Sequence, residues 1–363
     1  SFLALVSLVC VIRGMKMMLS NNVPYCKLIA IRKYATYDAY IQLPNPMCMR
    51  NKYIFLISIA LILVLTSAFL IFVKKSGDYS KEGQNKIKIV TTLFPLYDFA
   101  KNIGQDKVEV TLLLPPGIEA HSFEPKPGDI AKINEADIFI YTGKFMEPWA
   151  EDVIKGVSNK NLKIVNASDG TKMIASVFHD EDEPVGSMDP HIWLDFDNDK
   201  IMVQTITNAL SEKDPANAKY YQQKSEEYQS KLSTMDLEYK SSLSKCDSKE
   251  IVYGGHYAFG YLVNRYGLKY SAAQGVSPDA EPTAQDLIKL VEQIRKNNIQ
   301  YVFYEELTTP KIAETLAGET KAKMLLLNAA HNVTKEDFED DISFLTIMQE
   351  NLANLKIGLQ CIN

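Results

Sequence analysis

From Lys86 onward the chain alternates between two hydrophobic periods in a regular order. Lys86-Ile-Lys-Ile-Val-Thr-Thr92 repeats every second residue, as a strand does, and residues 96–103 return to spacings of three and four, as a helix does. Residues 108–114 predict a second strand, ended by Pro115-Pro116-Gly117; residues 127–136 predict a helix and residues 137–143 a buried strand. From Asp199 to about Lys245 the pattern is polar-rich and helical, a long helix or helix pair. Asp214-Pro215 predicts a break near Lys213 and then a helix of about 30 residues. Alternation then resumes, with strands at 250–254, 301–305 and 323–327 and helices at 257–266, 283–297, 310–320 and 337–359. Strands separated by helices imply parallel sheets covered on both faces. The expected fold is α/β: two lobes, each with a mostly parallel sheet flanked by helices, joined by one long linker helix, with a ligand cleft between the lobes.

The region before Lys86 reads differently. Residues 53–73 are uncharged and flanked by Arg50, Lys52, Lys74 and Lys75, long enough to span a bilayer. The run exceeds a usual signal core and shows no small-x-small cleavage site, so a retained anchor is preferred over a cleaved signal, and no Cys ends it to take a lipid. Met49-Arg50-Asn51-Lys52 reads as a translation start, and residues 1–48 as coding sequence assigned in error. The expected organisation is thus 1–48 unassigned, 49–76 signal or membrane anchor, 77–85 linker, 86–198 first lobe, 199–245 linker helix and 246–363 second lobe.

Charge sharpens this division. Residues 1–75 carry nine Lys or Arg against the single acid Asp38, a net of +8; the whole chain is −6, so the rest carries −14. An acidic body argues against nucleic acid and for cations as partners. Of five cysteines only Cys246 and Cys361 fall beyond the first 48 residues, without metal-type spacing. An oxidising exterior permits their pairing, but nothing in the sequence brings the two within bonding range, and free thiols are expected.

The five histidines carry the chemistry. His121 follows the strand ending at Leu114, His191 lies in Asp189-Pro-His-Ile-Trp-Leu-Asp195, His256 ends the strand Val252-Tyr253-Gly254-Gly255, and His331 comes four residues after Leu327. Ligands of open α/β sheets bind beyond the carboxyl ends of the strands, so the four converge on one cleft if the topology is right. Taken singly, a His at a strand end is more often a surface or capping residue. Four imidazoles suit zinc and close a tetrahedral shell, leaving no position for a substrate water. His179 belongs to a short acidic loop, Phe178-His-Asp-Glu-Asp-Glu-Pro184, read as solvated with weak cation binding as the alternative. Trp193 and Tyr257 flank candidate ligands; Asp195, Glu124 and Glu281 are candidates to orient the imidazoles.

Several motifs together resemble the zinc-type cluster A-I (cluster 9) solute-binding proteins of ABC metal importers. They are Thr91-Thr-Leu-Phe-Pro-Leu-Tyr-Asp98, Pro115-Pro-Gly-Ile-Glu-Ala-His-Ser-Phe-Glu-Pro125, the Asp189–Asp195 motif, Gly255-His-Tyr-Ala-Phe-Gly260, Glu281-Pro-Thr283, Phe303-Tyr-Glu-Glu306 and Pro310-Lys-Ile-Ala-Glu-Thr-Leu316. The resemblance covers about residues 86–359. It implies that His121, His191 and His256 ligate the metal, with His at 256, where manganese-type relatives carry Glu, pointing to Zn²⁺. The family's fourth ligand is usually a Glu in Asn-Pro-x-Glu-Gly; this chain has Asn328-Ala-Ala-His-Asn332, so His331 replaces it, with water, Glu305 or Glu306 as alternatives. The resemblance further implies capture of extracytoplasmic Zn²⁺ for an ABC permease; the apolar run adds the expectation of a membrane tether through the N-terminal anchor, and the chain is expected to be a monomer.

Three other readings stand beside this one. A zinc hydrolase would keep an activated water, but there is no His-Glu-x-x-His and no base spaced close to a ligand. A manganese or iron importer protein is the neighbour within the class, and a surface adhesin with a structural metal site is the third. Because imidazole must be neutral to bind, affinity is expected to fall below about pH 6.5.

Overall fold

A computed structural model describes residues 58–59, 61–67, 86–177, 186–276, 278 and 281–362. The chain divides into two compact units, Ser1–Glu82 and Gly83–Asn363. In the first unit the described residues are helical and exposed, and no described helix is long and apolar enough to cross a membrane. Most of the expected anchor at 49–76, all of residues 1–48 and the His179 loop lie outside the described residues.

The second unit contains two four-stranded parallel sheets. β1 (Ile87–Thr91), α1 (Phe94–Gly104), β2 (Val108–Leu112), α2 (Pro127–Glu135), β3 (Ile138–Tyr141), α3 (Ala150–Gly156) and β4 (Lys163–Asn166) build the first, in the order β2-β1-β3-β4. Ile87 pairs with Val108, Ile89 with Ile138 and Ile138 with Lys163. α4 (Phe196–Lys213) and α5 (Ala218–Leu243) follow, separated by a 3₁₀ turn at Pro215–Asn217 where the Asp214-Pro215 break was expected. β5 (Glu250–Tyr253), α6 (Gly260–Tyr266), β6 (Lys269–Ala272), α7 (Ala284–Lys296), β7 (Tyr301–Tyr304), α8 (Lys311–Thr320) and β8 (Lys323–Leu326) form the second sheet, ordered β6-β5-β7-β8. α9 (Lys335–Glu339) and α10 (Phe344–Gly358) close the chain.

The central strands are the most apolar. All four residues of β3 are buried, as are three of four in β5, because helices cover both faces. The long helix α5 touches α1 and α4 on one side and α6 and α10 on the other, and its inward residues Tyr221, Tyr228, Leu232, Tyr239 and Leu243 join a single core spanning both sheets. Local chemistry sets the helix ends: Asp195 caps α4 by accepting from the N–H groups of Asp197 and Asn198, and Gly267 ends α6 at φ 65°, where a side chain would be strained. Cys246 and Cys361 form a disulfide, correcting the expectation of free thiols. The ends of α5 and α10 return to one point, where the two cysteines form an antiparallel bridge and Ile362 N–H donates to the Lys245 carbonyl at 3.2 Å.

Candidate metal centre

Parallel sheets place every strand's carboxyl end on one side, and all four candidate histidines emerge there. His121 sits in the loop after β2, His191 precedes a 3₁₀ turn at Ile192–Leu194, His256 follows β5 and His331 follows β8. Backbone and side-chain hydrogen bonds lock these loops together. Asn332 Nδ2 donates to the carbonyls of Pro115 and Ile118, both at 2.8 Å, tying the His331 loop to that of His121. Trp193 Nε1 donates to the Ala329 carbonyl at 2.7 Å, tying the His191 segment to the same loop, and its ring lies edge-on to the His191 imidazole. Tyr257, the other flanking aromatic, instead packs against Tyr270 with centroids 4.6 Å apart.

His121, His191 and His256 bring one ring nitrogen each within 4.8 Å of one another. His191 Nε2 lies 3.2 Å from the Nε2 of both His121 and His256. A tetrahedral ion with bonds of about 2.0–2.1 Å to nitrogen sets its ligands about 3.3 Å apart, so the spacing is that of a zinc shell.

The tautomers follow from the partners. Asp189 Oδ1 accepts from the His191 backbone N–H at 3.0 Å and from Nδ1 at 2.8 Å, and Glu305 Oε1 accepts from His256 Nδ1 at 2.5 Å. With both Nδ1 atoms donating, the facing Nε2 atoms are lone-pair acceptors with no proton between them, an arrangement that a cation relieves. Burial, and then the neighbouring imidazoles, hold His121 and His191 well below the ordinary imidazole range, which keeps them neutral. Burial pushes Asp189 up to about 7 against the backbone N–H of His191, while His256 holds Glu305 down despite its burial. Two glycines make room for these carboxylates. A Cβ on Gly255 would meet Glu305 Oε2 at 2.5 Å, and one on Gly260 would meet Asp189 Oδ2 at 2.5 Å.

His331 is buried beside the three, its ring centroid 5.8 Å from His256 and 6.3 Å from His121. It stands outside the set of mutually close nitrogens. Its Nε2 is 3.7 Å from Glu119 Oε2 and its Nδ1 3.7 Å from Glu306 Oε1, beyond hydrogen-bond reach, so neither ring nitrogen has a hydrogen-bond partner. Burial opposes charge on this ring, but Glu119, Glu306 and Glu305 outweigh it and raise His331 to about 9. Ala330, just before it, holds φ 59°, a strained conformation for a residue with a Cβ.

The carboxylates expected to orient the imidazoles are not the ones that do. Asp195 caps α4 and pairs with Arg265, and Glu124 and Glu281 are exposed. Asp189 and Glu305 take the role. Asp189 could have been found two residues before His191, the spacing at which one oxygen reaches both backbone and ring nitrogens; Glu305 was expected only as an alternative fourth ligand, and no local signal tied it to the His256 ring. Glu306 accepts from the Ala329 N–H with both oxygens at 3.0 Å.

Comparison with known proteins fits this geometry. Residues 89–358 match the family model described as the zinc-uptake complex component A, periplasmic. The chain is 36% identical over 308 residues to the high-affinity zinc uptake system protein ZnuA of Bacillus subtilis, covering 82% of this chain and 96% of that one. It is 34% identical over 283 residues to the zinc-binding lipoprotein AdcA of Streptococcus pneumoniae, covering 76% of this chain but only 56% of that protein, so it spans about half of AdcA. The solved Zn(II)-bound ZnuA-like domain of S. pneumoniae AdcA matches with a TM-score of 0.66 at 34% identity, covering 76% of this chain and 99% of that one. The chain therefore belongs to the family of the periplasmic zinc-uptake complex component A.

Proposed function

We propose that this protein captures Zn²⁺ outside the cytoplasm and delivers it to an ABC-type permease, with His121, His191, His256 and His331 as ligands to the transported ion. The observation that carries this reading is the pair of 3.2 Å contacts among the Nε2 atoms of His121, His191 and His256, the last two buried and left bare by carboxylates at Nδ1. The names of the related proteins support zinc as the cargo. His331 enters as the fourth ligand by a small shift of its ring from between Glu119 and Glu306. Four neutral nitrogens favour zinc over manganese, which prefers oxygen. A closed shell serves capture and release rather than hydrolysis, and no catalytic role is proposed.

The finer assignments belong to the same proposal. Residues 49–76 anchor the monomer to the membrane's outer face, residues 86–198 and 246–363 act as the two lobes, and residues 199–245 join them. Metal content by mass spectrometry on the full chain, beside the His121→Ala, His191→Ala, His256→Ala, His331→Ala and His179→Ala variants, tests it. One zinc per chain is expected, lost in the first three variants and kept in His179→Ala. Manganese retained in all five would overturn it.

A further inference from the structure

The helix α6 starts four residues after His256 and grips the segment that carries His191 at both ends. Tyr261 and Arg265 lie one turn apart on the same helix face. The Tyr261 hydroxyl donates to the Asp189 carbonyl at 2.9 Å and accepts from the Ile174 N–H at 3.1 Å, so a buried hydroxyl has both valences used. Arg265 Nη1 donates to Asp195 at 2.9 Å and Asp197 at 2.8 Å, while Nε and Nη2 each hold one oxygen of Asp236 on α5 at 2.7 Å. Between the two grips, Asp189 and Asp195, lie His191 and its 3₁₀ turn. The close approach of Gly260 to Asp189 seats the first residue of α6 on the same segment.

We propose that Tyr261 and Arg265 are positioning residues for the metal centre, fixing His191 relative to His256; this rests on reading the histidine cluster as the zinc site. The two imidazoles come from segments 65 residues apart, yet their Nε2 spacing must hold to tenths of an ångström for an ion to bridge them. Asp189 is the lever. Its side chain orients the His191 ring while its carbonyl is pinned by Tyr261, so slack at the carbonyl travels to Nε2. Arg265 blocks the other escape by locking Asp195, the cap of α4, to the helix behind His256.

Tyr261→Phe removes the hydroxyl and keeps the ring. In the full chain, three readouts separate positioning from folding: the rate of zinc loss to a chelator, the visible ligand-field absorption of the Co²⁺-loaded protein, and the apo melting temperature. Zinc loss about tenfold faster, with a changed Co²⁺ spectrum and an apo Tm within about 2 °C of the parent, is expected. A rate and spectrum equal to the parent overturn the inference, as does faster loss that merely tracks a lower apo Tm. If Tyr261→Phe does not fold, Arg265→Lys, which keeps the charge and loses the fork, is judged by the same outcomes. A parent chain that takes up neither ion overturns the zinc reading itself, which the Tyr261 comparison alone does not.

Discussion

His331 Nε2 stands 3.7 Å from Glu119 Oε2, close enough for the two charges to attract and too far for a hydrogen bond. With Glu306 on its other side, the ring is raised to about 9 and carries a proton in the metal-free protein at neutral pH. An imidazolium cannot bind a metal. If His331 completes the shell, about one proton leaves as zinc enters at pH 7.5. Calorimetry in buffers of different ionisation enthalpy counts it. Release in the parent that disappears in His331→Ala is expected; no difference between them rejects His331 as a ligand.

His331 as a ligand would place the pH dependence elsewhere than the pH 6.5 expected of ordinary imidazoles. His121 and His191 are held so low by burial that their protons do not compete near pH 6.5. With His331 as the fourth ligand, its proton does compete, and from higher up. The sign is that of a raised base: binding is strongest above its pKa and weakens as pH falls through about 9. Zinc affinity should drop about tenfold per pH unit below that point, read by competition titration. A curve flat from pH 9 to 7 that breaks only near 6.5 would contradict this.

Gly255 tests how tightly the His256 orientation is held. A Cβ there would sit 2.5 Å from Glu305 Oε2 and 2.7 Å from the Tyr253 ring, so Gly255→Ala displaces the carboxylate that sets the His256 tautomer. Affinity is expected to fall about 10- to 100-fold without loss of any ligand. Unchanged zinc affinity in a folded variant would show that Glu305 does not matter to binding.

Asp98 on α1 accepts a hydrogen bond from the Tyr228 hydroxyl on α5 at 2.8 Å, deep in the core. Burial raises its carboxyl to about 6, against that hydrogen bond. In the unfolded chain it titrates near 3.9, so its favourable contribution is complete below about pH 4 and lost as pH rises through about 6. Asp98→Asn, which does not titrate, should match the parent at pH 4 and gain roughly 3 kcal/mol at most by pH 7.5. Denaturation curves at the two pH values decide it; a constant difference would reject the buried charge as the cause.

The disulfide joins residues 115 apart. Closing so long a loop restricts the unfolded chain, and the double substitution Cys246→Ser with Cys361→Ser should cost about 4 kcal/mol in denaturant unfolding. A midpoint that does not move when reductant is added would argue that the bond adds nothing.

The central strands and the four histidines could be read from the chain because their signals are local: apolar runs, turn residues, and a ligand type recurring just past strand ends. β4 (Lys-Ile-Val-Asn) and β6 (Lys-Tyr-Ser-Ala) went unread because their apolar runs are short, whereas the equally peripheral β8 (Lys-Met-Leu-Leu) shows a longer one. Only one of four residues in Lys163–Asn166 is fully buried and none in Lys269–Ala272, so neither shows the apolar run that marks β3. The Cys246–Cys361 pair and the Glu305–His256 bond were equally out of reach, since each depends on how separate segments return to one point.

That return gives the second sheet a property of its own. From Cys246 to Cys361 the backbone and the S–S bond together form a covalent ring holding all of β5 to β8 and the loops of His256 and His331. A single proteolytic cut anywhere in that ring releases no fragment. The two ends stay attached through the S–S bond, so the pieces bearing His256 and His331 remain part of one covalent chain after a cut.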